Sequence, residues 1–176
     1  MARRHIRCWQ EAYAHLLSPG FLAAQDQEVD GRTDMWRRAL RRGRSPSVAE
    51  LDGRVIGLAG AVDHGDAPGH PRPLQLQLLY LRRAHQGNGA GQQLLDAQVG
   101  DQPAYLWVAQ DNPRAQAFYR RNGFRVDGET MVADAWEGMV EARMVRDRPD
   151  VGQPPSGAEP VRDRSSRRSS ESTGPS

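Results

Sequence analysis

Residues 78–91 read Leu-Leu-Tyr-Leu-Arg-Arg-Ala-His-Gln-Gly-Asn-Gly-Ala-Gly. An apolar strand passes through a short polar loop into a glycine-rich turn, and a helix-forming stretch follows. Gly87, Gly89 and Gly91 allow a tight turn and a close approach of backbone to ligand, because no Cβ intervenes. The helix behind them directs unpaired N–H groups and a partial positive charge at the same point. This order of elements predicts a site for a phosphorylated ligand, its pyrophosphate held by backbone rather than by a cationic side chain. Two familiar phosphate loops do not fit. A Walker A loop needs a lysine after its last glycine, and this chain has none: all 24 of its basic residues are arginine. The same absence excludes a Schiff-base lysine. The dinucleotide fingerprint needs G-x-G-x-x-G directly after a strand. Gly87 and Gly89 match it, but Gln92 takes the place of the last glycine, and Arg82 to His85 separate Leu81 from the loop.

The spacing that fits is Gln-x-x-Gly-x-Gly, met by Gln86, Gly89 and Gly91. A second block, residues 104–124, reads Ala-Tyr-Leu-Trp-Val-Ala-Gln-Asp-Asn-Pro-Arg-Ala-Gln-Ala-Phe-Tyr-Arg-Arg-Asn-Gly-Phe. Tyr105 to Val108 is a short strand. Asn112 is a good N-cap, Pro113 suits the first helical position, and Gly123 suits the C′ position. Asn112 and Tyr119 are nearly two turns apart, on one helix face and about 10 Å from each other. With these two blocks in this order, the chain resembles the GNAT superfamily of acetyl-CoA-dependent N-acyltransferases over roughly residues 4–146.

The resemblance implies a mixed α/β sheet and a set of site residues. Backbone groups of Leu79 and Leu81 would hold the pantetheine arm of acetyl-CoA. Gln86, Gly87, Asn88, Gly89, Ala90, Gly91 and Gln92 would form the pyrophosphate loop. Asn112 would contact the cofactor arm, and Tyr119 would sit near the thioester sulfur as general acid. The residues alone also allow plainer roles: Gln86 starting a turn, Asn112 as an N-cap only, Tyr119 packing beside Phe118.

At 176 residues one domain is expected. Residues 1–148 would form it, with material for an ordinary core. Residues 149–176 are rich in Pro, Gly, Ser, Arg and acidic side chains; they cannot repay the entropy of ordering and are expected to be a disordered tail. The net charge of +2, from 24 basic and 22 acidic residues, implies no polyanion partner. Cys8 is the only cysteine, which excludes an internal disulfide and a cysteine-rich zinc site. Neither a secretory signal nor a run of membrane-spanning length is visible, so a cytoplasmic protein without a membrane partner is expected.

The periodicities place helices at 4–17, at about 32–43, at 90–99 and after Asn112, with Ser18-Pro19-Gly20 breaking the first. Strands are expected at 48–51, 55–62, 74–81, 105–108, 125–130 and 139–146, with Asp52-Gly53 as a hairpin turn. Helix 90–99 would pack through Ala90, Leu94, Leu95 and Val99. GNAT domains usually open with a strand; here only Met1 to His5 precede the first helix, and the first strand is expected to be missing. The strand 48–51 would then present an unpaired edge and favour association between chains.

The acetyl-transfer chemistry implied by the resemblance needs a polarised carbonyl, a neutral amine and a protonated leaving thiolate. Many relatives carry a glutamate on the strand before the glycine loop; this chain has Gln75 and Gln77 there. Asp63, His64 and His85 lie nearby but read as loop residues, and none is assigned as base. His64, His70, Asp63 and Asp66 sit in a Gly- and Pro-rich loop that cannot fix metal ligands, so no metal is expected. Arg37, Arg38, Arg41, Arg42 and Arg44 suit a solvated helix end. The first two helices and the loop before the last strand would line the acceptor side, nominating Tyr13, Phe21 and Trp136. The acceptor is expected to be a small-molecule or protein amine. A non-catalytic acyl-CoA-binding module and an arginine-rich nucleic-acid binder are the other readings; the near-neutral charge balance weighs against the second.

Overall fold

Ile6, Trp9 and Tyr13 recur at three- and four-residue intervals, and helix α1 (Ala2–Tyr13) turns all three inward. The computed structural model describes residues 2–43 and 45–147. The expected tail, residues 149–176, lies outside them. α1 ends four residues earlier than its periodicity suggests. Ser18 does more than break it: its hydroxyl accepts the Phe21 N–H at 3.2 Å and caps a second helix, α2 (Pro19–Ala24), with Pro19 in the first turn. A Ser-Pro pair after a helix thus acts as a start signal as well as a stop. After a 3-10 turn comes α3 (Val29–Arg41), which buries Trp36 against α1. No strand precedes α1 among the described residues.

Six strands follow: β1 (Ser47–Leu51), β2 (Arg54–Asp63), β3 (Leu74–Leu81), β4 (Ala104–Ala109), β5 (Arg125–Ala133) and β6 (Met139–Arg146). They form one mixed sheet in the order β1-β2-β3-β4-β6-β5, in which only β3 and β4 run parallel. β1 is an outer strand, with Val48 and Leu51 exposed. Asp52 and Gly53 take φ of 51° and 69°, the pair of positive values that a two-residue hairpin turn requires. α4 (Ala90–Gln98) is the parallel crossover between β3 and β4, and α5 (Pro113–Arg121) follows β4. These two helices cover one face through Leu94, Leu95, Val99, Tyr119 and Phe124; α1, α2 and α3 cover the other.

Plain alternation along β3 would keep Leu74, Leu76, Leu78 and Tyr80 on one face. It does not. Gly60 pairs with Leu78 and Ala61 with Leu76, so Gln77 is an extra residue on β3. This β-bulge inverts the pleat. Leu74 and Leu76 pack towards α4 and α5, but beyond Gln77 it is Leu79 and Leu81 that do so, while Leu78 and Tyr80 turn to α1 and α3.

His5 is buried on α1, stacked on Tyr80 at 5.4 Å and tilted against Trp36 at 5.5 Å. Its Nδ1 has no partner. Burial, with a smaller contribution from the charge of Arg32, lowers its pKa from 6.5 to about 3. Between those values the unfolded chain takes up a proton that the folded ring refuses, so stability falls as pH drops from 6.5 towards 3. His5→Phe is expected to flatten the dependence of Tm on pH across that window. A curve unchanged by the substitution would show that the ring is not held neutral.

Candidate active site

β3 and β4 are hydrogen-bonded only over Leu74–Leu76 and Ala104–Leu106. Past the bulge they separate, and a cleft opens between residues 77–81 and 107–109. The Arg82 N–H donates to the Ile56 carbonyl at 2.8 Å. In an antiparallel pair, alternate residues face the same neighbour, so Tyr80 and Leu78 also bond to β2, and the backbone groups of Leu79 and Leu81 point into the cleft. The Leu81 carbonyl is already taken: the Gln86 side-chain amide donates to it at 3.0 Å. Gln86 thereby ties the glycine loop back to the strand, a role for its side chain that the motif alone did not reveal.

The loop from Gln86 to Gly89 is shaped by two glycines, Gly87 and Gly89, at φ of 89° and 90°. Side chains seldom occupy this left-handed region, and a Cβ at either position would project into open space. Gly89 is the N-cap of α4. The Asn88 side chain accepts the Ala90 N–H at 3.1 Å, while Gly91 and Gln92 are in the first turn, where helical N–H groups lack intrahelical partners. Gly91 differs from the other two: a Cβ there would rest 3.8–3.9 Å from Phe118 and Leu81. It faces protein rather than the loop's open side. Glu11 of α1 braces the loop, accepting the Arg83 N–H at 2.9 Å and pairing with Arg82 at 3.1 Å.

From β4 the chain turns at Asn112, whose side chain accepts the Ala115 N–H at 3.0 Å and caps α5, leaving its amide N–H groups to donate. Gly123 follows the helix at φ 80°, the left-handed stop expected of it. Tyr119 is buried between Phe118 and Phe124, at ring separations of 5.3 and 5.8 Å. Burial, and then the neighbouring Tyr80, push its phenol pKa above the ordinary 10.0. It therefore stays protonated at any physiological pH.

On the opposite face, Tyr13, Phe21 and Trp136 come together as the sequence suggested, joined by Trp9 and Tyr80. Trp9 lies 5.1 Å from Tyr13, 6.2 Å from Phe21 and 5.5 Å from Trp136; Tyr13 lies 5.4 Å from Trp136 and 6.2 Å from Tyr80. Burial raises the Tyr13 pKa and pushes that of Tyr80 up to about 12. Beside this cluster stands Glu141 of β6, buried, its pKa raised by desolvation. Sequence reasoning missed it. The available signal was its position: Glu141 alternates with Met139 and Val145 in a strand, a register that points a carboxylate inward.

The other candidates lie elsewhere. Asp63 accepts the Gly65 N–H at 2.8 Å in the β2–β3 turn. His64 and His70 stack at 3.6 Å and bond to Gln75 and to the Tyr105 hydroxyl at 3.0 and 2.6 Å, at the end of β3 away from the cleft. Among the described residues, no group of three or more His, Cys, Asp or Glu side chains is placed to hold a metal. Arg37 pairs with Asp34 at 3.1 Å, and Arg38 and Arg41 occupy the last turn of α3; Arg44 lies outside the described residues. A cavity of about 490 Å³ lies between the C-terminal ends of α4 and α5. Arg146 fills its wall structurally, donating to the carbonyls of Gly100, Gln102 and Asn122.

A family model described as an acetyltransferase (GNAT) domain matches residues 42–126, the segment holding the cleft, the glycine loop and α5. Residues 42–126 thus carry an acetyltransferase (GNAT) domain. A probable N-acetyltransferase of Mycobacterium tuberculosis is 29% identical over 139 residues, covering 74% of this chain and 75% of the relative. Among solved structures, the PaiA N-acetyltransferase of Thermoplasma acidophilum, in complex with coenzyme A, superposes with a TM-score of 0.61 at 18% identity, over 83% of this chain and 92% of that one. The putative acetyltransferase YncA of Salmonella typhimurium, with its cofactor acetyl-CoA, gives 0.58 at 17% identity, over 89% and 93%. The GNAT fold thus extends beyond the segment matched by the family model to α1 and the last hairpin. No helix among the described residues is long and apolar enough to cross a membrane.

Proposed function

We propose that this chain transfers the acetyl group of acetyl-CoA to an amine, the amine attacking the thioester directly. The observation that carries the reading is the cleft opened by the Gln77 bulge, which leads straight into the Gln86–Gly91 loop. The residues present suit the co-substrate. Leu79 and Leu81 offer backbone groups to a pantetheine arm, whose amides need such partners. Gly87, Gly89 and the first turn of α4 offer N–H groups and open space to a pyrophosphate. Asn112 offers its free amide N–H groups from the β4 side. Relatives of this fold are known in complex with coenzyme A and acetyl-CoA.

Acetyl-CoA supplies an acyl carbon already activated as a thioester. In the reaction the C–N bond forms and the C–S bond breaks. Tyr119 is the proton donor for the departing sulfur, since its phenol is held protonated and so carries the proton that the thiolate needs. The test is release of free thiol from acetyl-CoA over a panel of amines. Binding of acetyl-CoA without thiol release by any amine would instead indicate a non-catalytic acyl-CoA-binding module.

The glycine loop gives a separate expectation. Gly89→Val is expected to weaken acetyl-CoA binding at least roughly tenfold by calorimetry, because a left-handed backbone is strained for valine and the loop must move. Gly69→Val is the control: it has the same φ of 90° and equally open surroundings, but sits in the distant β2–β3 turn. Equal losses of affinity in the two variants would remove the loop from the site.

A further inference from the structure

Glu141 pairs with Ala109 at the end of β4, and the two side chains share the face that looks towards α1 and α2. The residue is 6% exposed. A carboxylate held this far from water normally requires a cation or several donors, and here Arg143 and Arg82 are otherwise engaged, while Arg32 of α3, whose charge acts on Tyr80, does not act on Glu141. Arg143, two residues along the same face, bonds to Asp127 at 2.8 Å, and Arg82 is held by Glu11. Desolvation alone accounts for the raised pKa of Glu141, with no cation opposing it. The residue nevertheless keeps a small exposed surface.

Ala109, its partner across the ladder, packs in one cluster with Tyr13 from α1 and Tyr80 from β3, and both phenols feel the charge of Glu141. Tyr80 acts in turn on Tyr119 from α5. Trp9 and Trp136 complete the aromatic wall around Tyr13.

We propose that Glu141 receives the ammonium group of the acceptor and removes the proton that blocks its lone pair, and that the acceptor carries its amine on an apolar or aromatic group with no carboxylate beside it. The proposal rests on the acetyl-transfer reading above. Aromatic faces attract an ammonium ion and tolerate apolar carbon next to it. A carboxylate adjacent to the amine would meet Glu141 with no cation to offset the repulsion. The step balances: an N–H bond of the ammonium breaks, an O–H bond forms on Glu141, the amine is left neutral with its lone pair free, and the proton passes from Glu141 to water. A raised pKa suits this task, because it brings the carboxylate closer to the basicity of the group it must deprotonate.

The experiment compares the full chain with Glu141→Gln, using acetyl-CoA with phenethylamine, tryptamine and glycine. Three readouts are taken: thiol release as a function of pH, acetyl-CoA affinity by calorimetry, and Tm. Phenethylamine and tryptamine are expected to be acetylated well ahead of glycine. Glu141→Gln should lower turnover by roughly a hundredfold and abolish the rise of kcat/KM with pH, while leaving acetyl-CoA affinity unchanged. At neutral pH its Tm should rise, by roughly 2–4 °C, because a buried unpaired charge has been removed. A retained pH rise in the variant, or a fall in Tm, would overturn the role of Glu141; faster acetylation of glycine, or of none of the three while acetyl-CoA binds, would overturn the acceptor class. Failure of the unaltered chain to bind acetyl-CoA would instead defeat the acetyl-transfer reading itself.

Discussion

Tyr119→Phe is expected to lower kcat by roughly ten- to a thousandfold while leaving acetyl-CoA affinity nearly unchanged. The substitution keeps the ring that packs between Phe118 and Phe124 and deletes only the hydroxyl. An interaction made only as the sulfur departs should appear in kcat rather than in binding. Because burial pushes the phenol pKa above 10.0, the unaltered chain should show no loss of turnover from this group below that pH. Thiol-release kinetics across pH, with single-turnover measurements to isolate the chemical step, check both statements. Unaltered single-turnover rates in Tyr119→Phe would reduce the residue to packing.

Gly57→Ala carries the largest expected effect on stability. A Cβ on Gly57 would lie 2.6 Å from a Leu81 methyl and 2.9 Å from the Tyr80 carbonyl oxygen. Gly57 pairs directly with Leu81, at a non-hydrogen-bonded position where strands approach most closely. The backbone oxygen cannot swing aside, so β3 must shift. Overpacking of this kind costs about 1–3 kcal/mol, which for a domain of this size lowers Tm by roughly 2–10 °C. The displaced strand is the one whose Leu79 and Leu81 edge the cleft, so acetyl-CoA affinity should fall as well. Gly60→Ala on the same strand is the comparison: its Cβ would meet only Leu78, at 3.6–3.7 Å, and it should be nearly neutral. Equal melting temperatures for the two variants would show that β2 and β3 separate at Gly57 without cost.

Local chemistry was legible in the sequence wherever one short segment sets it. The turn at Gly87 and Gly89, the Asn112-Pro113 start and Gly123 stop of α5, the Asp52-Gly53 turn and the limits of β3 and β6 all follow from backbone preferences within a few residues. The second helix, α2, was not legible, because its start signal sits inside what also reads as a break. The register decided more. Whether a residue is inserted in β3 depends on how that strand pairs with β2, and the bulge at Gln77 then selects which side chains face each helix layer and where β3 parts from β4. Glu141 was hidden for the same reason. A glutamate in the sixth strand has no neighbours along the chain to mark it; it comes beside Ala109 and the cluster of Tyr13 and Tyr80 only when strands and a helix distant in sequence converge. Sequence alone brought out the GNAT resemblance, the glycine loop and Tyr119 as a candidate, since these rest on spacing. Tertiary structure alone decided that a cleft exists beside them and that an uncompensated carboxylate lies at its far side, since both arise from the packing of segments that the chain order keeps apart.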